Sequence, residues 1–279
     1  MTTPLFFLSH RSILSLADLA KDAYLHPVHR LPGYTFLSDE DTDAQGYISN
    51  ETLQIQGVRQ ECIVISFRGT ESIKDVITDL SATRVPLTGK PVGFFQSLLP
   101  NRGVPLVHWG FLQQYQSILP EIRQYLNTYP DIKHVVCTGH SLGGALATLA
   151  VVDLASRACG ENRVFSCVTF GSPRVGNKKF AELFDRVTEN RSIRFVNNDD
   201  PIPLLPSSLR FHHVSGVAEL QTDYGPNFIR TYLNTSTNRW KRVGRVIANT
   251  ITTTVSCSSG SASDHSSSNY YDELAEILV

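Results

Sequence analysis

The sequence predicts an α/β fold: a central, mostly parallel β-sheet with helices on both faces. Three observations carry this. Residues 133–138 (KHVVCT), 163–170 (RVFSCVTF) and 192–197 (SIRFVN) are short apolar or β-branched runs, as found in strands buried inside a parallel sheet. Between them, residues 141–158 and 177–187 have helical character. The links are short, and a regular alternation of strand and helix is the pattern of a parallel sheet with covered faces.

The remaining elements follow along the chain. Residues 12–26 place Ile13, Leu16, Ala17, Ala20, Ala23 and Tyr24 at helical spacing. Residues 60–67 (QECIVISF) are apolar on both faces, which suits a strand inside the sheet. Residues 112–126 return to the helical period and stop before Pro130. Residues 211–233 read as two further strands around the turn Tyr224-Gly225-Pro226, and 269–279 as a closing amphipathic helix. Ligand sites in such sheets lie beyond the carboxyl ends of the strands.

Composition bounds the function. At 279 residues the chain is within reach of one large domain, read here as 1–279, with a core of its own. A formal charge of −1 with no Lys/Arg run lacks the footprint of a nucleic-acid binder. The five cysteines (Cys62, Cys137, Cys159, Cys167, Cys257) form no C-x-x-C pair, which argues against a zinc or dithiol site. Their placement, three of them in apolar runs, is that of reduced, small hydrophobic side chains. No stretch approaches the roughly 18 apolar residues of a membrane span. Residues 5–8 (LFFL) are too short for a signal-peptide core, so a cytoplasmic or peripherally membrane-associated protein is expected.

The chemistry centres on Gly139-His140-Ser141-Leu142-Gly143, which fits G-x-S-x-G. It follows a β-branched strand and opens a helix, the setting of a nucleophile elbow. There the serine takes a strained turn, and flanking glycines remove Cβ atoms that would collide with strand and helix. The simpler alternative is a serine that merely caps the helix. Gly143-Gly144 argue against it, since each glycine weakens a first turn by about 1 kcal/mol. A nucleophilic serine needs an oxyanion hole, with one N–H from the residue after it, Leu142. The second donor comes from a loop after an earlier strand, where Thr70 follows ISF-Arg68-Gly69 and precedes the helix-like 72–80 (SIKDVITDL).

These segments resemble the class 3, fungal-type triacylglycerol lipases: ISFRGTESIKDVITDL, HWGFLQQY, TGHSLGGALATLA, FGSPRVGN, NNDDPIPLLP and DHSSSNY occur in the family's order. The resemblance implies an α/β-hydrolase fold, a Ser-Asp-His triad and hydrolysis of acylglycerols or related lipid esters at a lipid–water interface, without cofactor or metal. Thr70 takes the oxyanion role and Ser141 the nucleophile. The family's N-x-x-D-x-[VI]-P pattern falls on Asn197, Asp200, Ile202 and Pro203, making Asp200 the acid, with Asp199 in reserve.

The fold's chain order is Ser, Asp, His, which leaves His212, His213 and His265 for the base. His212 and His213 are adjacent in FHHVSG, a strand-like segment whose neighbours face opposite sides. His265 lies in a Ser/Gly-rich loop before the final helix and matches the family's DHS, so it is the expected base; His140 packs beside the triad and Asp264 is a loop or cap residue.

The resemblance also implies a mobile lid after Gly69. Here lid and insertion lie within about 71–107, group Phe94, Phe95, Leu98 and Leu99, and carry Val76 where the lid pattern often has tryptophan. The insertion is a site cover, a lipid contact or core packing. Phospholipase A1, galactolipase and soluble-ester esterase are alternatives on the same scaffold; a non-catalytic lipase-like binding protein is the alternative of another class.

Overall fold

The structure is a computed structural model that describes residues 7–25, 33–70, 83–87, 103–157, 161–197, 200–220, 229–235, 239–245 and 265–278. Helix α1 (His10–Asp22) starts at Ser9, whose hydroxyl accepts from the Ser12 N–H. Then come β1 (Thr35–Asp39), β2 (Ala44–Ile55), β3 (Val58–Phe67), β4 (Arg84–Pro86), β5 (Leu106–His108) and α2 (Trp109–Thr128). The middle of the chain alternates as expected: β6 (His134–His140), α3 (Leu142–Ala155), β7 (Val164–Phe170), α4 (Lys178–Thr188) and β8 (Ser192–Asn197). A 3-10 turn (Ile202–Leu204), β9 (Val217–Leu220), β10 (Ile229–Thr235), β11 (Arg239–Arg245) and α5 (Ser267–Leu278) complete the described elements.

The nine-stranded sheet runs β1-β2-β3-β6-β7-β8-β9-β10-β11. Pairing is parallel from β3 through β9 and antiparallel at both flanks. The two-residue period of the strands divides the core. Ile63, Ile65, Val135, Cys137, Phe165 and Cys167 face α2, α3 and α4. Their neighbours Val64, Val136, Val168 and Phe170, with Ile193 and Phe195, face α1 and α5. This two-sided burial is why these strands read as continuous apolar runs.

Helix α3 is buried along its whole length from Gly143 to Leu154. Its close approach to the sheet depends on glycine. A Cβ at Gly143 would stand 2.2 Å from the Phe67 carbonyl oxygen, and one at Gly139 2.5 Å from the Gly143 backbone.

Several expectations are corrected. Segment 211–216 is not a strand: His212 makes one isolated bridge to Gly176, and β9 starts at Val217. Sequence reading also missed β1, β2 and β11. In β2 (AQGYISNETLQI) the polar Asn, Glu and Gln obscure the alternation, and its place is set by ten register pairs with β3.

The two ends of the 84–107 insertion form a ribbon, β4 with β5; Val107 is buried, and Val85 and Leu87 pack on the core. The lid helix and the Phe94–Leu99 cluster lie outside the described residues, as do Cys159 and Cys257. Cys62, Cys137 and Cys167 are free and buried.

Burial pushes the Cys62 thiol up to about 11 and the Cys167 thiol up to about 12, and raises Cys137 as well. Iodoacetamide at mildly alkaline pH is therefore expected to leave these three unmodified in the folded protein, as read by peptide mass mapping, and to label them after denaturation. Gly143→Ala should lower the melting temperature by roughly 5 °C in a circular-dichroism melt, because overpacking by about 1–3 kcal/mol outweighs the helix-propensity gain of about 1 kcal/mol.

Candidate active site

The site lies where β6 turns into α3. Ser141 sits between them at φ +57°, ψ −126°, outside the ordinary regions of a residue with a side chain. Ser141 occupies the position before the first helical residue, yet its hydroxyl makes no capping bond. The hydroxyl points instead at His265: Oγ lies 2.7 Å from Nε2. Nδ1 of the same ring is 2.8 Å from Oδ2 of Asp200. Ser141, Asp200 and His265 are exposed by only 1%, 3% and 2%, although they come from the ends of β6 and β8 and the start of the α5 segment.

Asp200 is held on both oxygens. Oδ1 accepts the Ile202 N–H at 2.8 Å, a local bond within the Asp-Pro-Ile turn. Oδ2 also accepts the Tyr270 hydroxyl at 2.7 Å, and that hydroxyl accepts the Asn197 N–H at 2.8 Å. With these donors on the carboxylate, Nδ1–H of His265 donates to it, and Nε2 is left to accept from the serine. Gly171, at φ +57°, makes room for the pair. A Cβ there would be 2.7 Å from Asp200 Oδ2 and 3.1 Å from the His265 ring.

A second chain of bonds fixes His265 from below. His140 donates through Nε2 to the His265 carbonyl oxygen at 2.5 Å. Its Nδ1 therefore carries no proton and accepts from the Tyr24 hydroxyl at 2.8 Å. Burial, and then the neighbouring His265 ring, hold the His140 imidazole well below its ordinary pKa, which keeps it neutral in this role.

The oxyanion candidates border the same end of the sheet. Leu142 is the first residue of α3, so its N–H has no carbonyl one turn earlier to bond. Thr70 follows β3, which runs beside β6 with Phe67 opposite Gly139. The intervening Gly69 lies against the elbow, since a Cβ on it would be 2.6 Å from the His140 carbonyl oxygen.

The other candidates separate cleanly. His213 donates through Nε2 to the Pro203 carbonyl at 2.6 Å. His212 lines a groove with Arg174 and Lys178. Asp199 and Asp264 lie outside the described residues. Sequence reading missed Tyr270, Tyr24's bond to His140, and Gly171. Tyr24 appeared only as a position on an apolar helix face, and Tyr270 only within the matched DHSSSNY. Among the described residues no cluster of three His, Cys, Asp or Glu could hold a metal ion. None of the helices among them is long and apolar enough to cross a membrane.

Residues 64–209 match the family described as lipase (class 3). The chain is 38% identical over 170 residues, 53% of its length, to secreted mono- and diacylglycerol lipase 2 of Gibberella zeae. It is 31% identical over 196 residues, 66% of its length, to the chloroplastic phospholipase A(1) DAD1 of Arabidopsis thaliana. It spans only 40% and 43% of those two relatives. Among solved structures, the lipase of Rhizopus microsporus var. chinensis superposes with a TM-score of 0.59 at 30% identity, covering 78% of this chain and 75% of that one.

The secreted relative corrects the expected cytoplasmic or membrane-peripheral location. A short apolar run at residues 5–8 carries no information about compartment. The family match over residues 64–209, together with the solved lipase of the same fold, makes the chain a member of the class 3 lipase family.

Proposed function

We propose that this protein is a serine-dependent carboxylic-ester hydrolase acting on lipid esters, with acylglycerols as the first substrate class. The observation that supports it most is the unbroken chain Ser141 Oγ–His265–Asp200, at 2.7 and 2.8 Å, buried at the carboxyl end of the sheet. In this reading His265 Nε2 takes the serine proton as Oγ attacks the ester carbonyl. Asp200 holds the ring in the one useful tautomer and stabilises the imidazolium. The Leu142 and Thr70 N–H groups receive the oxyanion, aided by the positive end of α3.

Collapse of the tetrahedral intermediate expels the alcohol, which takes its proton from His265 and leaves an acyl-Ser141 enzyme. Water, deprotonated by His265, then attacks the acyl carbonyl, and the fatty acid departs as Ser141 Oγ takes the proton back from His265. Every step uses side chains and backbone of the chain itself, so no cofactor or metal enters. We read 1–279 as one catalytic domain.

Acylglycerols come first because a relative is named a mono- and diacylglycerol lipase. Phospholipase A1 activity is the second reading, favoured by the relative named for it. Galactolipids and soluble esters belong in the same screen.

Hydrolysis of triacylglycerol, diacylglycerol, phosphatidylcholine, galactolipid and p-nitrophenyl ester should be compared directly. Ser141→Ala should lower every rate by roughly 10⁵-fold or more, and a fluorophosphonate should label the parent at Ser141 alone. Undiminished turnover by the variant, or no labelling of the parent, would sink the catalytic reading and leave a lipase-like binding protein. Tyr270→Phe removes a hydrogen bond to the triad carboxylate, of a kind worth about 1.5–3 kcal/mol. It should cut kcat roughly tenfold or more, with KM nearly unchanged, in steady-state assays on a soluble ester.

A further inference from the structure

The chain turns out of β8 through Asp200 and then displays two leucines to solvent: Leu204 is 64% exposed and Leu209 91%. Four cations surround them. Arg174 donates through Nη1 to the carbonyls of Leu204 and Pro206, and Arg84 donates to the carbonyl of Arg210 at 2.9 Å. Lys178, at the start of α4, lines the groove beside Arg174, Leu204 and His212.

Arg84, Arg174, Lys178 and Arg210 form no ion pair with any of the described residues. Two carboxylates of α4 line the same groove: Glu182 pairs with Lys179 at 2.8 Å and also lies in the field of Lys178, and Asp185 accepts from the Ser215 N–H and hydroxyl. The positive field is felt locally. After burial, Lys178, Arg174 and Arg84 help hold His212 below its ordinary pKa, and Arg210 acts the same way on Arg84.

In a chain of net charge −1, four cations that form no ion pair among the described residues, set around two exposed leucines, are a local feature rather than general basicity. The patch borders the triad, because Leu204 and Asp200 belong to one turn at the carboxyl end of the sheet.

We propose that this patch is the surface by which the protein seats on anionic lipid: Leu204 and Leu209 enter the head-group region while Arg84, Arg174, Lys178 and Arg210 meet the lipid phosphates. Apolar insertion and cationic attraction add at a membrane surface, and the electrostatic part fades with salt. Docking there brings the mouth of the triad against the substrate phase. The inference rests on the reading of the protein as a lipid-ester hydrolase, but its test does not use turnover.

The test is cosedimentation of the full chain with vesicles of phosphatidylcholine alone and of phosphatidylcholine mixed with phosphatidylglycerol, at low and high salt. The parent should partition strongly onto the mixed vesicles and lose most of that binding in high salt. Lys178→Gln with Arg210→Gln should lower the partition coefficient on mixed vesicles roughly twentyfold. Leu204→Ser with Leu209→Ser should lower it about tenfold on the same vesicles.

These side chains are exposed or groove-lining, so the melting temperature should stay at the parent value, which separates lost docking from unfolding. Equal partition onto both vesicle types, no binding by the parent, or variants that bind like the parent would overturn the proposal. Loss of ester hydrolysis in the parent would overturn the catalytic reading and leave the partition result to judge the patch alone.

Discussion

Ser141 is held in a backbone conformation that costs a residue with a side chain about 1–3 kcal/mol, and the middle of the molecule is arranged to hold it there. Its N–H donates to the Phe170 carbonyl at 2.9 Å, which ties the elbow to the end of β7. Gly139 and Gly143 let β6 and α3 approach each other and the end of β3 more closely than any side chain would permit. The buried helix α3 supplies the packing that offsets the strain. A serine in ordinary geometry could cap this helix, but its hydroxyl would turn toward the backbone and away from His265.

The support of the site is divided between the two faces of the sheet. Ser141 directly precedes α3, whose side chains join the cluster with α2 and α4. The groups that hold His265 and Asp200 come from the other face. Tyr24 follows α1, Tyr270 lies in α5, and both helices pack in the second cluster. Six buried or nearly buried polar side chains thus meet at the sheet's carboxyl end: Ser141, His265, Asp200, Tyr270, His140 and Tyr24. Each finds a hydrogen-bond partner there. Satisfaction of this kind is what makes such a network rigid rather than costly in a low-dielectric interior. It also fixes tautomers, since the direction of each bond follows from its neighbour.

The rim beside this network has a different character. Inside, the polar groups are paired by hydrogen bonds. On the turn after Asp200, apolar side chains are open to solvent and cations lack carboxylate partners among the described residues. One short segment, 200–210, belongs to both environments: its first residue is the buried acid and its last an exposed arginine. A site buried to a few percent exposure and an exposed rim of leucines and arginine are thereby joined through the residues 200–210.

The sequence by itself determined the alternation of strand and helix, the tight turn at Ser141 and the chain order of the candidates Ser141, Asp200 and His265. These are legible because they depend on local spacing: a two-residue or helical period, a glycine beside a turn, a proline after an aspartate. The sequence also singled out His265 over His212 and His213, and the tertiary structure sets its ring against Ser141 while His213 spends its ring on the Pro203 carbonyl. The tertiary structure alone decided that Tyr270 and Asn197 brace Asp200, that Tyr24 reaches His140 and that Gly171 clears the space between acid and base. The bonds from Tyr24 to His140 and from His140 to His265 span 116 and 125 residues. No local pattern encodes them, because they form only when the two faces of the sheet are packed and the strand ends are brought to a common edge.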